Sequence, residues 1–318
     1  MSSTNEERRE AAKRKLAERL ERENRQARRR KIVIASVSAA VAVAVVATAT
    51  YFVVDKIRTD RYNAAHNECT YTPTPSQLDK VQTTIPEELK EPDQRALYQR
   101  KIDSLVAGKP KQRTSPKPAL SQPNSGTESL TLDTNQGTIP ITIERKSAPC
   151  NSAAVLSLAK NGYYDNTPCH RMTNTEIKVI QCGDPTATGG GTPGWTSPDE
   201  PPTDLKPAGE ANQMTGQQPV TYPRGTVAIA NSGQAQQGQA NAGGAAQFFI
   251  LVQDGVLPAS YAVVGKVDEP GLAVVDKVFQ GGIEPSVNQN PMTRKFEMSP
   301  TDGPPKLGLT IEKATVGG

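Results

Sequence analysis

Between Ile32 and Val54 the chain runs for 23 residues without a charged side chain, a proline or a glycine. A helix rises about 1.5 Å per residue, so this run reaches about 34 Å, against a hydrocarbon layer of roughly 30 Å. Lipid offers backbone N–H and C=O groups no partner, and a helix satisfies them internally. A buried core helix of this length normally carries a polar stripe, whereas only Ser and Thr interrupt this run. Ala47-Thr48-Ala49 resembles a small-x-small cleavage site. A signal peptide's apolar region is shorter, however, at roughly 7–15 residues. Residues 32–54 are therefore predicted to form an uncleaved transmembrane helix.

The flanks set its orientation. Residues 1–31 carry twelve Lys and Arg against six Glu, ending in Arg28-Arg29-Arg30-Lys31, while the far flank opens with Asp55. The positive-inside rule then places residues 1–31 in the cytoplasm and everything after the span outside, in a single-pass cell-membrane protein. The tail's mixed charges suit a solvated helix with i,i+4 pairs. No aromatic residue lies among them, so no nucleic-acid partner is expected.

Beyond the span the texture changes twice. Residues 55–127 contain Thr72-Pro73-Thr74-Pro75 and Ser115-Pro116-Lys117-Pro118, which continue neither a helix nor a central strand. They are read as an extracytoplasmic linker, an extended spacer with one short helix over Glu91–Ala107. Residues 128–318 form the globular domain. There, Ile139, Ile141 and Ile143 alternate after an Asn135-Gln136-Gly137 turn. Further strands are expected over Cys169–Met172, Lys178–Cys182, Gly225–Asn231, Gln247–Val252, Tyr261–Val267 and Leu307–Val316. One helix is expected behind a Ser147 cap and a second over Gly271–Phe279. Eight short strands with two capping helices predict a mainly β fold, an eight-stranded antiparallel barrel closed to hide its edges.

The inventory of reactive groups is thin. No Gly-x-Ser-x-Gly, His-Glu-x-x-His or Cys-x-x-Cys occurs, and His66 and His170 are the only histidines. Thr188-Gly189-Gly190-Gly191-Thr192 lacks the Gly-Lys-Ser/Thr ending of a phosphate loop. His66, Cys69, Cys169 and His170 have poor metal-ligand spacing. No metal, cofactor, proton shuttle or covalent nucleophile is expected.

Three clusters remain: Cys169-His170-Arg171 followed by Ile180-Gln181-Cys182-Gly183-Asp184-Pro185; Arg224-Gly225-Thr226-Val227-Ala228-Ile229-Ala230-Asn231; and Gln247-Phe248-Phe249-Ile250 with Val264-Gly265-Lys266-Val267. In this order and spacing they resemble the signature segments of cyclophilins, the cyclophilin-type peptidyl-prolyl cis–trans isomerases, over about residues 128–316. The membrane-anchored bacterial members are the most similar in overall layout. The resemblance implies a rotamase acting on proline-containing polypeptides and assisting the folding of extracytoplasmic proteins. It makes Arg171 the catalytic arginine, Gln181 the glutamine that orients it, and Phe249 the floor of the proline pocket. It places Val179 and Leu257 in that pocket's walls. It assigns Ala230, Asn231 and Gln247 to the rim that holds the residues before proline, and puts Tyr261 where many members have His. Of the adjacent Phe248 and Phe249, one must face the core, and the resemblance turns Phe249 to the groove.

Several positions depart from the family's pattern. Lys178 stands where a pocket Phe is common, after a loop longer by about two residues. Gly244-Ala245-Ala246 replaces Asn-Gly-Ser, the loop Gln234–Gly243 is long, and Val256 replaces a frequent Trp. These motivate an alternative reading, a module that holds proline segments at the cell envelope with little or no catalysis. A third reading gives the basic tail a cytoplasmic partner.

Cys69, Cys150, Cys169 and Cys182 all follow the span, where oxidation is expected, and allow three pairings. Cys169 and Cys182 flank one hairpin. If Arg171 and Gln181 share a face, strict alternation puts these two cysteines on opposite faces unless a bulge intervenes. If they pair, Cys69–Cys150 staples the linker to the domain. Free buried thiols are the remaining alternative.

Overall fold

The computed structural model describes residues 3–213, 216–231, 244, 246–290 and 293–317, and it divides into two compact units, residues 1–64 and 65–318. The first is one helix, α1 (Ser3–Ala65), continuous through the basic tail and the apolar run. Ile32, Val37, Val41 and Val45 are all exposed along it, and it contains a stretch long and apolar enough to cross a membrane. In the tail, Arg19–Glu23 and Arg25–Glu21 make i,i+4 ion pairs at 3.8 and 3.7 Å.

The second unit is built on one antiparallel sheet of ten strands. These are β1 (Thr127–Thr134), β2 (Gly137–Glu144), β3 (Thr167–Pro168), β4 (Arg171–Asn174), β5 (Lys178–Cys182), β6 (Thr226–Ile229), β7 (Phe248–Leu251), β8 (Val263–Val267), β9 (Asp302–Gly303) and β10 (Thr310–Val316). Their order is β9-β4-β5-β7-β6-β8-β2-β1-β10-β3. The predicted closed eight-stranded barrel is thus corrected to a curled ten-stranded sheet whose edge strands, β9 and β3, do not pair with each other. Two residues are too few to show periodicity, so β3 and β9 carry no sequence signal. The seam is crossed by the chain itself. Between β3 and β4, the Cys169 N–H donates to Leu309 O and the His170 N–H to Gln181 O.

The β1–β2 hairpin forms as its alternation demands. Leu130 pairs with Ile141 and Leu132 with Ile139, and all four are at most 1% exposed. α2 spans Pro92–Gly108, α3 Pro149–Lys160 and α4 Glu269–Gln280. α4 lies close to the sheet at Gly271, where a Cβ would come within 2.8 Å of Val267 and 3.1 Å of Ile139. α3 is not capped by Ser147, whose hydroxyl reaches Asp204 instead. The remote Glu200 carboxylate accepts the N–H groups of Cys150 and Asn151 at 3.0 and 2.8 Å. A carboxylate fits there because the first turn's donors have no helical partner.

The segment predicted as a spacer differs most from expectation. Helix α1 takes residues 55–65, and residues 66–123 wrap onto the sheet unit. His66–Glu68 pairs with Ser121–Pro123, and Thr72–Pro73 pairs with Trp195–Thr196. Cys69, Tyr71, Leu78, Leu89, Leu97, Ile102 and Leu105 are buried, which gives this strap apolar anchors along its length. Pro73 and Pro123 fall in these short edge pairings, positions in a sheet that tolerate a missing N–H. Trp195, 2% exposed, donates its indole N–H to Ser115 O at 2.8 Å and stacks edge-on with Tyr71.

Both disulfides form, Cys69–Cys150 and Cys169–Cys182. The alternation argument against the second fails because Cys169 lies outside the strands, in the irregular two-residue connection between β3 and β4. The first fastens the strap to α3.

Candidate active site

Sheet register alone brings the expected centre together. Arg171 on β4 pairs with Gln181 on β5, and Gln181 pairs with Phe249 on β7. Residues directly opposite in an antiparallel ladder share a face, so these three side chains line up across three adjacent strands. Phe248 takes the other face. It packs in the main core edge-on to Tyr164, with ring centroids 5.6 Å apart.

On the Phe249 face lies a cavity of about 310 Å³. Arg171, Gln181, Phe249, Val179, Ala230, Asn231, Leu257 and Tyr261 line it, eight of the nine expected site residues. The ninth, Gln247, stands behind and receives a hydrogen bond at Oε1 from Gln181 Nε2, 2.9 Å away. Val179, Phe249 and Leu257 are buried in a cluster with Val220, Tyr222, Ala228 and Leu251, separate from the main core. The Phe249 and Tyr261 rings meet edge-to-face at 5.3 Å, and Asn231 Nδ2 donates to Ser260 O at 2.8 Å.

Lys178 does not line this cavity; Ile177, Thr173 and Thr175 do, so the lysine's charge stays out of its wall. Val256 is half exposed and outside it. The loop 234–243 and Ala245 lie outside the described residues.

The electrostatics centre on Arg171. Its Nε and Nη2 donate to the two oxygens of Asp302 at 2.8 and 2.9 Å, and its Nη1 donates to Gln181 Oε1 at 3.2 Å. The hydrogen bonds it donates to Asp302 hold the guanidinium pKa above its ordinary value, so this group stays charged at any working pH. A guanidinium carries five N–H donors, and these contacts use three. Asp302 was missed by sequence reasoning, since nothing in Thr301-Asp302-Gly303 marks it and only the β9–β4 pairing brings it here.

The glutamine pair is anchored in turn. Gln247 Nε2 donates to Gly189 O at 2.9 Å and Gly191 O at 3.3 Å. That glycine run wraps the buried carboxylate of Asp184, which accepts the N–H groups of Thr186, Gly189 and Gly191 at 2.8, 2.7 and 3.1 Å. A Cβ on Gly191 would fall 2.0 Å from Asp184 Oδ1, so only glycine fits. Loop donors that elsewhere hold phosphate are here spent on an internal acid. A chain of contacts thus runs from Asp184 through the loop, Gln247 and Gln181 to Arg171 and Asp302.

Comparison with known proteins identifies relatives of the sheet unit. The probable peptidyl-prolyl cis-trans isomerase B of Mycobacterium leprae is 38% identical over 187 residues, covering 58% of this chain and 56% of that protein. Its namesake in Mycobacterium tuberculosis H37Rv is 37% identical over 156 residues, covering 49% and 47%. The match thus spans about half the length of these curated relatives. A crystal structure of a Cryptosporidium parvum cyclophilin type peptidyl-prolyl cis-trans isomerase, with the dipeptide Ala-Pro present, aligns at a TM-score of 0.41 and 22% identity, over 60% of this chain and 99% of that one. The family model for cyclophilin type peptidyl-prolyl cis-trans isomerase matches residues 129–301, more than half of the sequence and the whole stretch from Arg171 to Tyr261. The chain belongs to the cyclophilin-type peptidyl-prolyl cis–trans isomerase family.

Proposed function

We propose that the chain is a membrane-anchored prolyl isomerase that assists the folding of extracytoplasmic polypeptides. The observation that carries this is the Arg171 guanidinium, fixed by Asp302 and Gln181 at the edge of a cavity that also holds the Phe249 ring. Rotation about a peptide C–N bond faces a barrier of roughly 18–20 kcal/mol, because resonance stiffens that bond. As an X–Pro bond twists, the prolyl nitrogen regains a lone pair. An uncommitted Arg171 N–H donates to that lone pair in the twisted state and finds no such acceptor in the planar one. Binding that exists only in the transition state lowers the barrier without acid–base chemistry. Phe249, Leu257, Val179 and Tyr261 hold the ring while Ala230 and Asn231 grip the residues before it, and Gln247 braces Gln181 from behind. The positions of Gln181 and Asp302 are set before substrate arrives, so little reorganisation is needed. The apolar run of α1 and the two disulfides support the placement outside a membrane, with residues 1–31 in the cytoplasm.

The test is an isomerisation assay on the full chain in detergent. Arg171→Ala is expected to lower kcat/KM by roughly 10²- to 10³-fold, the scale of losing one preorganised donor. An unchanged rate overturns the mechanism. A second reading, a proline-segment binding module with little turnover, is favoured by the commitment of three of the arginine's donors to protein partners. Peptide binding without rate enhancement selects it.

A further inference from the structure

A second and larger cavity, about 920 Å³, lies on the far side of the same wall. Arg171, Gln181 and Asp302 line both cavities, whereas Ala230, Asn231, Phe249 and Tyr261 line only the smaller. The other walls of the larger one come from the strap, including Val81, Gln82, Tyr98 and Ser104, and from residues 284–288. The strap walls lie outside the stretch that matches the family model. Both volumes fall in the roughly 300–1,000 Å³ range of ligand clefts.

His170 also lines the larger cavity, and neither of its ring nitrogens has a hydrogen-bond partner among the described residues. Burial pushes its pKa down, so the ring is neutral. Both ring nitrogens are enclosed by the protein, so the ring is part of the cavity's wall and not a contact for its occupant.

We propose that the larger cavity is a second subsite that binds the residues following the proline in an extended polypeptide. The inference rests on the isomerase reading for its direction. With the ring on Phe249 and the preceding residues on Ala230 and Asn231, the chain leaves past Arg171 and Asp302 into the space beyond. The strap thereby makes this protein selective for long, unfolded segments over short peptides.

The test uses three peptides around one X–Pro bond: a tetrapeptide, the same peptide extended by four residues before the proline, and the same extended by four after it. On the full chain in detergent, extension after the proline is expected to lower KM about tenfold with kcat unchanged, and extension before it to change neither. Ser104→Trp and Gln82→Trp, on separate exposed stretches of the strap, each fill the cavity and are expected to abolish that gain; circular dichroism verifies that each folds. No gain on extension after the proline, or a gain that survives both substitutions, overturns the subsite. Turnover of the tetrapeptide in that case leaves the isomerase reading standing. If no peptide is turned over, calorimetric binding of the longer peptide that Ser104→Trp weakens upholds the subsite while the isomerase reading falls, and equal binding by both proteins overturns the subsite too.

Discussion

Arg171 is gripped by a carboxylate that no motif announces. Asp302 engages Nε and Nη2 together, which fixes the plane of the guanidinium and leaves its free N–H groups in a set direction. Asp302 is therefore a positioning residue, acting through Arg171. Asp302→Asn keeps the side chain's size and loses the charged, two-pronged acceptor. It is expected to lower kcat roughly fivefold to tenfold, about 1–1.4 kcal/mol of barrier, with KM nearly unchanged. Steady-state kinetics that instead move KM alone would make Asp302 a substrate contact. Arg171, Gln181, Ala230, Asn231, Gln247 and Phe249 could be singled out because each sits inside a signature segment, and Val179, Leu257 and Tyr261 because they lie beside or between those segments. Asp302 and Ile177 were not, because a two-residue strand and a loop position have no pattern of their own.

The strap is the element on which sequence reading and structure part. Its proline pairs do exclude helix and central strand, and that much was correctly inferred. The spacing of Leu97, Ile102 and Leu105 also marked α2 to within a residue at each end. What the pattern could not reveal is that isolated anchors, Cys69, Tyr71, Leu78 and Leu89, find partners more than a hundred residues away or across a disulfide. Replacing Cys69 and Cys150 together by Ser opens a loop whose ends are 81 residues apart. The loss is expected to be about 2–5 kcal/mol, read as a lower guanidinium midpoint. A midpoint unchanged by the double substitution would show that the anchors hold the strap without the disulfide.

For the whole molecule, the proposed anchoring by α1 would decide where the sheet unit works. If it anchors the chain, alkaline carbonate leaves the protein in the membrane pellet, and deletion of residues 2–54 moves it to the supernatant. Release of the intact chain by carbonate would remove the anchor from the reading. The apolar run, the charge bias and the order of signature segments were all carried by the sequence itself, because each depends on local composition or on residues a few positions apart. The number of strands, the crossing of the seam by Cys169–His170, the wrapping of residues 66–123 and the pairing of Asp302 with Arg171 were decided only in three dimensions. Each is a contact between segments far apart in the chain, whose worth depends on what the intervening sheet brings within a few ångströms, and no local pattern records that.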